Sequence, residues 1–230
     1  MKGRKVGTKA DARAAAAIER TLQEVFSDGV FLCLRFGPGA PTVEAARAAV
    51  RGGLRVLELT LTTPGALEAM RVLARDPGVV VGGGTVLAPK SVRDVARAGG
   101  RFVLSPVFDP GVLDEADRLG LLAIPGAATP KEILTAYRHG ARLVKIFPSG
   151  ALGGPAFLRA VRGPFPDIPL IPTSGPTSDN LADYMAAGAV MVGIGGEVYP
   201  PDFTLESVEA AARRVRRAMD ACRGQGRGAA

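Results

Sequence analysis

Two charged residues interrupt otherwise apolar segments of this sequence. Glu58 lies within Val56-Leu-Glu-Leu-Thr, and Lys145 lies within Leu143-Val-Lys-Ile-Phe. A charged side chain in such a segment needs a partner or a function, because burying it alone is costly. Desolvation favours the neutral amine of a lysine, which can attack a carbonyl carbon, and a nearby carboxylate can transfer protons. The residue types therefore indicate imine chemistry, with a buried ion pair as the structural alternative.

Lysine usage separates Lys145 from the other lysines. Three lysines lie among the first nine residues, and Lys90 and Lys131 each follow a proline at a predicted helix start. Lys145 alone lies within a predicted strand. It is therefore the predicted nucleophile, with Glu58 as the predicted general acid and base.

The elements that position these residues follow a repeating order of apolar segment, turn and amphipathic helix. Near-continuous apolar segments are typical of parallel strands joined by crossover helices. Eight such units in about 200 residues predict an α/β fold, a single-domain (β/α)8 TIM barrel. An open doubly wound sheet is the alternative, but no Gly-x-Gly-x-x-Gly turn follows the first strand. The predicted strands are Val30–Arg35, Leu54–Thr60, Val79–Gly82, Arg101–Ser105, Leu121–Pro125, Arg142–Phe147, Ile168–Thr173 and Ala189–Gly193.

An alanine-rich helix is predicted before the first strand, over about residues 11 to 27, as an addition to the barrel. Both ends of the chain are rich in glycine and charge and poor in apolar side chains, which predicts disorder. The predicted organisation is a disordered basic tail over residues 1–10, the barrel over residues 11–222, and a disordered tail over residues 223–230.

The formal net charge of +7 is located mainly in those tails. Six basic residues and no acidic residue lie there, which leaves the predicted barrel nearly neutral. No nucleic-acid recognition motif accompanies the charge, so a basic nucleic-acid-binding module is the less favoured alternative. No apolar segment approaches the ~20 residues that span a bilayer. Cys33 and Cys222 form no disulfide or metal-binding pattern. We expect a cytoplasmic protein with no nucleic-acid partner, membrane partner or metal.

Polar residues at the carboxyl ends of the strands are expected to meet at one mouth of the barrel. Glu58 on the second strand and Lys145 on the sixth would face each other across a closed ring of eight strands. Glycine-rich turns at the same rim, such as Val81-Gly-Gly-Gly-Thr, bring backbone N–H groups toward an anion. Each turn alone is equally consistent with close packing between helix and strand. The rim residues are Arg35, Glu58, Thr60, Thr85, Ser105, Lys145, Thr173, Ser174, Gly195 and Gly196.

Seven segments stand in a characteristic order: Leu57-Glu-Leu-Thr-Leu-Thr-Thr-Pro, Val81-Gly-Gly-Gly-Thr-Val-Leu, Ser105-Pro, Ile124-Pro-Gly, Val144-Lys-Ile-Phe-Pro, Gly163-Pro-Phe-Pro and Pro172-Thr-Ser-Gly. In that order and spacing the chain resembles the KDPG/KHG aldolase family, the 2-dehydro-3-deoxy-6-phosphogluconate and 4-hydroxy-2-oxoglutarate aldolases. The resemblance runs from about Val30 to Met219.

The resemblance implies a class I aldolase that needs no metal or other cofactor, forms a homotrimer and acts on a small-molecule 2-oxo acid. Lys145 would form the imine, and Glu58 would be the general acid and base. The implied substrates are 2-keto-3-deoxy-6-phosphogluconate and 4-hydroxy-2-oxoglutarate, cleaved reversibly to pyruvate plus glyceraldehyde 3-phosphate or glyoxylate. The implied substrate-binding residues are Arg35, Thr62, Thr85, Phe147, Pro148, Thr173, Ser174, Gly175, Gly195 and Gly196.

Within that set, the resemblance assigns a first group of residues to the pyruvyl end of the substrate. Thr85 would help to hold the carboxylate, and Phe147 with Pro148 would shape the pocket beside the lysine. Some family members carry an arginine just after the strand of the catalytic glutamate, as a carboxylate ligand, where this sequence has Thr62. Arg35, which ends the first strand, is the residue expected to take over that role.

The distal end of the substrate would lie at the turns over residues 173–175 and 195–196. The phosphate turn of the family is usually Thr-Gly-Gly and here reads Thr173-Ser-Gly, and the serine expected near the end of the last strand is Gly196, followed by Glu197. An acidic residue beside a phosphate site repels phosphate unless it points away. The sequence therefore predicts release of pyruvate and leaves the need for a phosphate group open. A phosphate-binding barrel isomerase or synthase without an imine is the alternative enzyme.

Overall fold

The computed structural model describes residues 9 to 226 and has an alternating α/β architecture. Every strand pair in it is parallel. The helices are α1 (Lys9–Asp28), α2 (Thr42–Arg51), α3 (Ala66–Leu73), α4 (Pro89–Arg97), α5 (Pro110–Leu119), α6 (Pro130–Arg138), α7 (Pro155–Arg162), α8 (Leu181–Ala186) and α9 (Leu205–Gly226). The strands are β1 (Val30–Leu34), β2 (Val56–Thr60), β3 (Val80–Gly84), β4 (Phe102–Leu104), β5 (Leu122–Ile124), β6 (Gly126–Ala127), β7 (Val144–Ile146), β8 (Leu170–Pro172) and β9 (Val192–Ile194).

The strands form two hydrogen-bonded sheets. Six strands pair in the order β5-β4-β3-β2-β1-β9, and three pair in the order β6-β7-β8. An isolated parallel bridge between Thr173 and Gly193 connects the end of β8 to β9. Because the first strand of the chain pairs with the last, the parallel sheet is curled rather than flat.

The strand predicted over residues 121–125 is divided at Pro125. β5 precedes this proline and pairs with β4, whereas β6 follows it and pairs with β7. A proline has no N–H group to donate to a neighbouring strand, so it interrupts the ladder. The carbonyl of Pro125 still accepts a hydrogen bond of 2.8 Å from the backbone N–H of Lys145. Within residues 9 to 226, nine strand segments therefore stand where eight strands were predicted.

One surface of the sheet changes from apolar to polar along the strands. Near the amino ends, Phe31, Val56 and Phe102 lie in one buried cluster. Two residues further along, β1 and β2 place Cys33 and Glu58 side by side in register on the same surface. The side chains of a strand alternate between faces with a period of two residues. The polar residues therefore come to the carboxyl ends of the strands, above an apolar floor.

The amino ends of the strands are covered by α1. Ile18 and Val25 of this helix belong to the same buried cluster as Phe31 and Leu143. The helix also packs against α5, β3 and β5. It therefore closes the apolar end of the sheet, opposite the end that carries Glu58.

The terminal helices run past the predicted domain bounds. α1 begins at Lys9 and α9 ends at Gly226, whereas the predicted tails ended at residue 10 and began at residue 223. Arg223 explains part of the difference, because its guanidinium donates hydrogen bonds to the carbonyls of Phe26 and Ser27 at the end of α1. The rest of the two predicted tails, residues 1–8 and 227–230, lies outside the described residues.

Proline and capping side chains fix the beginnings of several helices. Proline stands in the first turn of α4, α5, α6 and α7, where its missing N–H group costs nothing. The Asp109 carboxylate caps α5 by accepting a bond of 2.9 Å from the N–H of Val112. α6 begins with a capping box between Thr129 and Glu132. None of the helices within residues 9 to 226 is long and apolar enough to cross a membrane.

Candidate active site

Lys145 and Glu58 lie together at the carboxyl ends of the strands. Nζ of Lys145, on β7, is 3.8 Å from Oε1 of Glu58, on β2. The two side chains are only 7% and 1% exposed. The two residues that the sequence selected as a reactive pair therefore share one buried site.

Burial controls the protonation of Glu58. The pKa of Glu58 is raised above its ordinary value of 4.5, because loss of solvent outweighs the charges of Lys145 and Arg35 and a hydrogen bond from Cys33. Its Oε2 atom has no hydrogen-bond partner in the described part of the chain. A carboxyl group with a raised pKa and an unused oxygen is suited to accept and return a proton.

Gly84 makes room for the Glu58 carboxylate. A Cβ atom at Gly84 would collide with Oε1 of Glu58, because that side chain lies over the backbone of β3. Glycine at this position therefore leaves the space that the carboxylate occupies. The glycine-rich end of β3, which the sequence suggested as an anion-binding turn, positions the carboxylate of the reactive pair.

Cys33 is a neighbour of Glu58 that the sequence did not assign to the site. It lies opposite Glu58 in the register between β1 and β2. Burial, and then the charge of Glu58, raises the pKa of the Cys33 thiol to about 12. The thiol therefore stays protonated at neutral pH and donates a hydrogen bond to the carboxylate. The sequence could have assigned Cys33 to the site, because Cys33 stands two residues before Arg35 and the two side chains therefore point to the same face.

Arg35 joins two of the other predicted substrate-binding residues. Its guanidinium donates hydrogen bonds of 3.0 Å to Oγ1 of Thr62 and 3.2 Å to Oγ1 of Thr85. Thr85 has a left-handed backbone (φ 57°), unusual for a β-branched residue, at the end of β3. Arg35 is exposed, so its cationic group is accessible at the rim. The three side chains form a site with the donors that a carboxylate requires.

A chain of hydroxyl groups supports this site from below. Thr62 donates a bond of 3.2 Å to Thr60, whose hydroxyl lies 3.1 Å from that of Thr63. The Thr63 hydroxyl also accepts a bond of 3.1 Å from the backbone N–H of Phe36. Thr60 and Thr63 are both buried. The sequence did not assign Thr63, although the run Thr60-Leu-Thr-Thr-Pro concentrates hydroxyl groups at this strand end.

Phe147 lies beside the lysine and is followed by Pro148, the second residue that the resemblance assigns to this pocket. Nζ of Lys145 lies 5.1 Å from the centre of the Phe147 ring. Both Phe147 and Pro148 are half-buried. At this distance the ring lies within the range of a cation–π contact with the lysine side chain.

The turn after β8 brings Thr173, Ser174 and Gly175 to the same rim. Thr173 is 7% exposed, and its Oγ1 atom has no hydrogen-bond partner within residues 9 to 226. Ser174 is exposed and has a left-handed backbone (φ 60°). The bridge from Thr173 to Gly193 sets this turn beside the one at Gly195 and Gly196. Both predicted distal turns are therefore neighbours at one edge of the site.

Glu197, the acid that follows Gly196, is directed toward the loop after β8. Its carboxylate accepts hydrogen bonds from the backbone N–H and the hydroxyl of Ser178. The first of these bonds is 2.7 Å long. The sequence raised the direction of Glu197 as a question but did not identify Ser178 as its partner.

His139 lies away from this site. It ends α6, and its Nε2 atom is 3.0 Å from the carboxylate of Asp114. Its ring also contacts the edge of Phe108. Within residues 9 to 226, no three His, Cys, Asp or Glu side chains converge as metal ligands do.

Comparison with known proteins identifies relatives of the chain. A family model described as KDPG and KHG aldolase matches residues 34–212. A 2-dehydro-3-deoxy-phosphogluconate aldolase of Pseudomonas aeruginosa is 44% identical over 162 residues, which cover 68% of this chain and 71% of that protein.

Solved structures agree with the sequence comparison. A 2-keto-3-deoxy-6-phosphogluconate aldolase of Zymomonas mobilis with 3-phosphoglycerate has a TM-score of 0.79 and 29% identity, covering 86% of this chain and 96% of that one. A KDPG aldolase of Legionella pneumophila, in which pyruvate was captured at low pH as a covalent carbinolamine intermediate, has a TM-score of 0.69 and 28% identity, covering 94% and 98%. The chain therefore belongs to the KDPG and KHG aldolase family.

Proposed function

We propose that this protein is a class I aldolase that reversibly cleaves 4-hydroxylated 2-oxo acids to pyruvate and an aldehyde. The observation that carries the proposal is the buried pair of Lys145 and Glu58, with 3.8 Å between amine and carboxylate. The substrates it covers are 2-keto-3-deoxy-6-phosphogluconate and 4-hydroxy-2-oxoglutarate, which release glyceraldehyde 3-phosphate and glyoxylate respectively. Family membership supports the same lyase reaction.

The reaction begins with attack of the Lys145 amine on C2 of the 2-oxo acid. Addition gives a carbinolamine, and loss of water gives a protonated imine at C2. The raised pKa of Glu58 allows its carboxyl group to donate the proton that leaves with the hydroxyl as water. Proton transfer returns Glu58 to its ionised form, ready to act as a base.

Cleavage follows from the electron demand of the protonated imine. Glu58 removes the proton of the C4 hydroxyl, the bond between C3 and C4 breaks, and its electron pair moves toward the nitrogen as an enamine. The aldehyde leaves from the C4 side. Glu58 then returns the proton to C3, and water hydrolyses the imine to free pyruvate and restore the amine of Lys145.

The substrate carboxylate binds to the site formed by Arg35, Thr62 and Thr85. The guanidinium that now contacts both hydroxyl groups supplies a charge, and the hydroxyls supply further donors. Binding there fixes C2 near Nζ of Lys145, because the carboxylate is attached directly to that carbon. Arg35 thus performs from β1 the role for which some relatives use an arginine after β2.

The two sheets close into one eight-stranded (β/α)8 barrel in this proposal. Support comes from the bridge between Thr173 and Gly193 on one side and from the nearly continuous β5 and β6 on the other. Counting β5 and β6 as one strand divided by Pro125 gives eight strands. α1 is then the additional helix that plugs the apolar end of the barrel.

A cytoplasmic homotrimer is the assembly that we propose from the resemblance. Leu87 and Val107, in the loops after β3 and β4, are exposed apolar side chains and support a subunit interface. The number of three subunits rests on the resemblance, and light scattering in solution tests it.

Pyruvate release measured with coupled lactate dehydrogenase tests the proposed reaction. We expect steady release from a 4-hydroxylated 2-oxo acid without added metal, and no release by Lys145→Met. The alternative isomerase or synthase would convert its substrate without forming pyruvate. Absence of pyruvate from both proposed substrates would overturn the assignment.

A further inference from the structure

Cys33 and Glu58 form a pair of side chains across two neighbouring strands. They are partners in the parallel register between β1 and β2, so both side chains point to the same surface of the sheet. The thiol of Cys33 donates a hydrogen bond to the carboxylate of Glu58. Cys33 is thus in direct contact with the group that acts as acid and base in the proposed reaction.

Glycine residues lie on both sides of this pair. A Cβ atom at Gly84, on β3, would collide with Oε1 of Glu58, and a Cβ atom at Gly195, after β9, would lie 3.3 Å from Cβ of Cys33. These strands are neighbours in the order β3-β2-β1-β9, so the two side chains lie between the two glycines. With backbone close on both sides, the thiol and the carboxylate have little room to move apart.

The other contacts of Glu58 restrain its carboxylate less. Nζ of Lys145 is 3.8 Å from Oε1, which is too long for a hydrogen bond. Oε2 has no hydrogen-bond partner within residues 9 to 226. Among these contacts, the bond from Cys33 is therefore the one that orients the carboxylate, and it leaves Oε2 for a substrate.

The thiol also affects the protonation of Glu58, because a hydrogen bond to the ionised form of an acid lowers its pKa. Burial raises the pKa of Glu58, and the thiol acts in the opposite direction, together with the charges of Lys145 and Arg35. Burial also raises the pKa of the thiol, to about 12, so the thiol keeps its proton while the carboxylate titrates. Tyr199, which interacts with Cys33, stays neutral because burial raises its pKa as well. The thiol is therefore a donor that does not change over this range of pH.

We propose that Cys33 is a positioning residue of the aldolase reaction, whose thiol holds the Glu58 carboxylate in place and favours the ionised form that removes the proton of the C4 hydroxyl. The inference rests on the proposed aldolase function and adds a residue to its mechanism. Cys33 takes no part in any bond that forms or breaks, and it acts only through Glu58.

Substitutions at Cys33 separate the hydrogen bond from packing. Cys33→Ser keeps a donor but loses the apolar sulfur, whereas Cys33→Val keeps the apolar bulk and has no donor. Cys33→Ala also has no donor and adds no atoms. Cys222→Val makes the same chemical change on α9, outside the sheet, and is the control.

The pH dependence of pyruvate release tests the proposal in the full-length protein. We measure kcat and KM across pH 4 to 8 on the faster of the two proposed substrates, whose own ionisation is common to all the proteins compared. Glu58→Gln shows which limb of the kcat profile belongs to Glu58. Labelling of Lys145 by pyruvate and borohydride shows that each variant keeps a folded site.

We expect the acidic limb of kcat to stay at the native pH in Cys33→Ser and in the control. In Cys33→Val and Cys33→Ala it should lie roughly 0.5 to 1 pH unit higher, because the bond that favoured the ionised carboxylate is lost. On that limb their kcat should therefore be roughly 3- to 10-fold lower than the native value. KM should change little, because the carboxylate site of Arg35, Thr62 and Thr85 is intact.

A native limb in Cys33→Val would show that Cys33 only fills space and would overturn the positioning role. The role is also overturned when the limb of Cys33→Ser moves as far as that of Cys33→Val, or when Glu58→Gln retains the acidic limb. In each of these results the native protein still releases pyruvate, so the aldolase function stands. Absence of that release overturns both.

Discussion

Nζ of Lys145 lies 3.8 Å from Oε1 of Glu58, within the range of an ion pair but beyond that of a hydrogen bond. A buried pair recovers the cost of desolvation only when geometry is good and the remaining polar atoms are satisfied. Neither condition holds here, because Oε2 of Glu58 has no partner among the described residues. The pair is therefore poorly suited to a purely structural role, and its spacing favours two groups that act on a molecule placed beside them.

Glu58→Gln should separate imine formation from turnover. The amide cannot accept or return protons as a carboxyl group does, so kcat should fall by roughly 10²- to 10⁴-fold. The amine of Lys145 remains, and borohydride with pyruvate should still label it. Glu68→Gln, at a side chain that is 71% exposed, is the matched control and should keep native activity. Native turnover in Glu58→Gln would remove Glu58 from the mechanism.

The pH dependence of stability should report the burial of Glu58. Its pKa is raised on folding, so between the ordinary value of 4.5 and the folded value the native state binds the extra proton. The contribution of Glu58 to the free energy of unfolding is thus largest at low pH and falls as pH rises through this window. The pKa of Asp28 is raised as well. Asp28 is present in both proteins that are compared below, so its contribution cancels in that comparison.

Urea unfolding of the native protein and Glu58→Gln across pH 4 to 8 measures that contribution. Gln has no titrating group, so the stability of the variant relative to the native protein should increase with pH. Parallel curves for the two proteins would show that Glu58 has its ordinary pKa in the folded state.

Glu58 and Lys145 were predictable because each breaks an apolar strand. Once the order of the strands was recognised, the two residues had to lie at the carboxyl ends and on the inner surface, since side chains alternate along a strand. α2 and α6 are also marked in the sequence, because their apolar residues recur at helical spacing and a proline stands in the first turn of α6. Candidate site residues that lie within strands could therefore be predicted from the sequence.

The contacts between loops were less accessible. Whether Arg35 reaches Thr62 and Thr85 depends on the left-handed backbone at Thr85, and a threonine gives no signal for that conformation. The bond between Glu197 and Ser178 joins two loops 19 positions apart in sequence, and its formation depends on how both turns are folded. The division of a strand at Pro125 follows from its missing N–H group, but only when the neighbouring strands are known.

Arg35→Ala should weaken binding of the substrate carboxylate. Loss of a charge-assisted hydrogen bond costs about 1.5–3 kcal/mol, which corresponds to a KM raised by roughly 10- to 100-fold. The fall in kcat should be smaller, because Lys145 and Glu58 stay in place. Arg47→Ala, which removes an exposed arginine paired with Asp76 at 2.8 Å, serves as the control. A KM equal to that of the native protein would show that the carboxylate binds elsewhere.

Gly84→Ala should displace the Glu58 carboxylate, because the new methyl group would occupy the space of Oε1. Overpacking of a buried site costs about 1–3 kcal/mol, so unfolding should begin at lower urea concentration and kcat should fall as Glu58 moves. Gly37→Ala is the control, since a Cβ atom there would have no other atom within 4 Å. A variant Gly84→Ala with native stability and native kcat would contradict the placement of Glu58 over β3.

Trapping of the imine shows directly whether Lys145 forms a covalent bond with the substrate. The native protein is incubated with pyruvate and sodium borohydride, digested, and analysed by mass spectrometry, with Lys145→Met and the exposed-site variant Lys131→Met treated in parallel. We predict one reduced pyruvyl group on the peptide that contains Lys145 in the native protein and in Lys131→Met, and none in Lys145→Met. An unlabelled native protein, or a label that persists in Lys145→Met, would contradict this account.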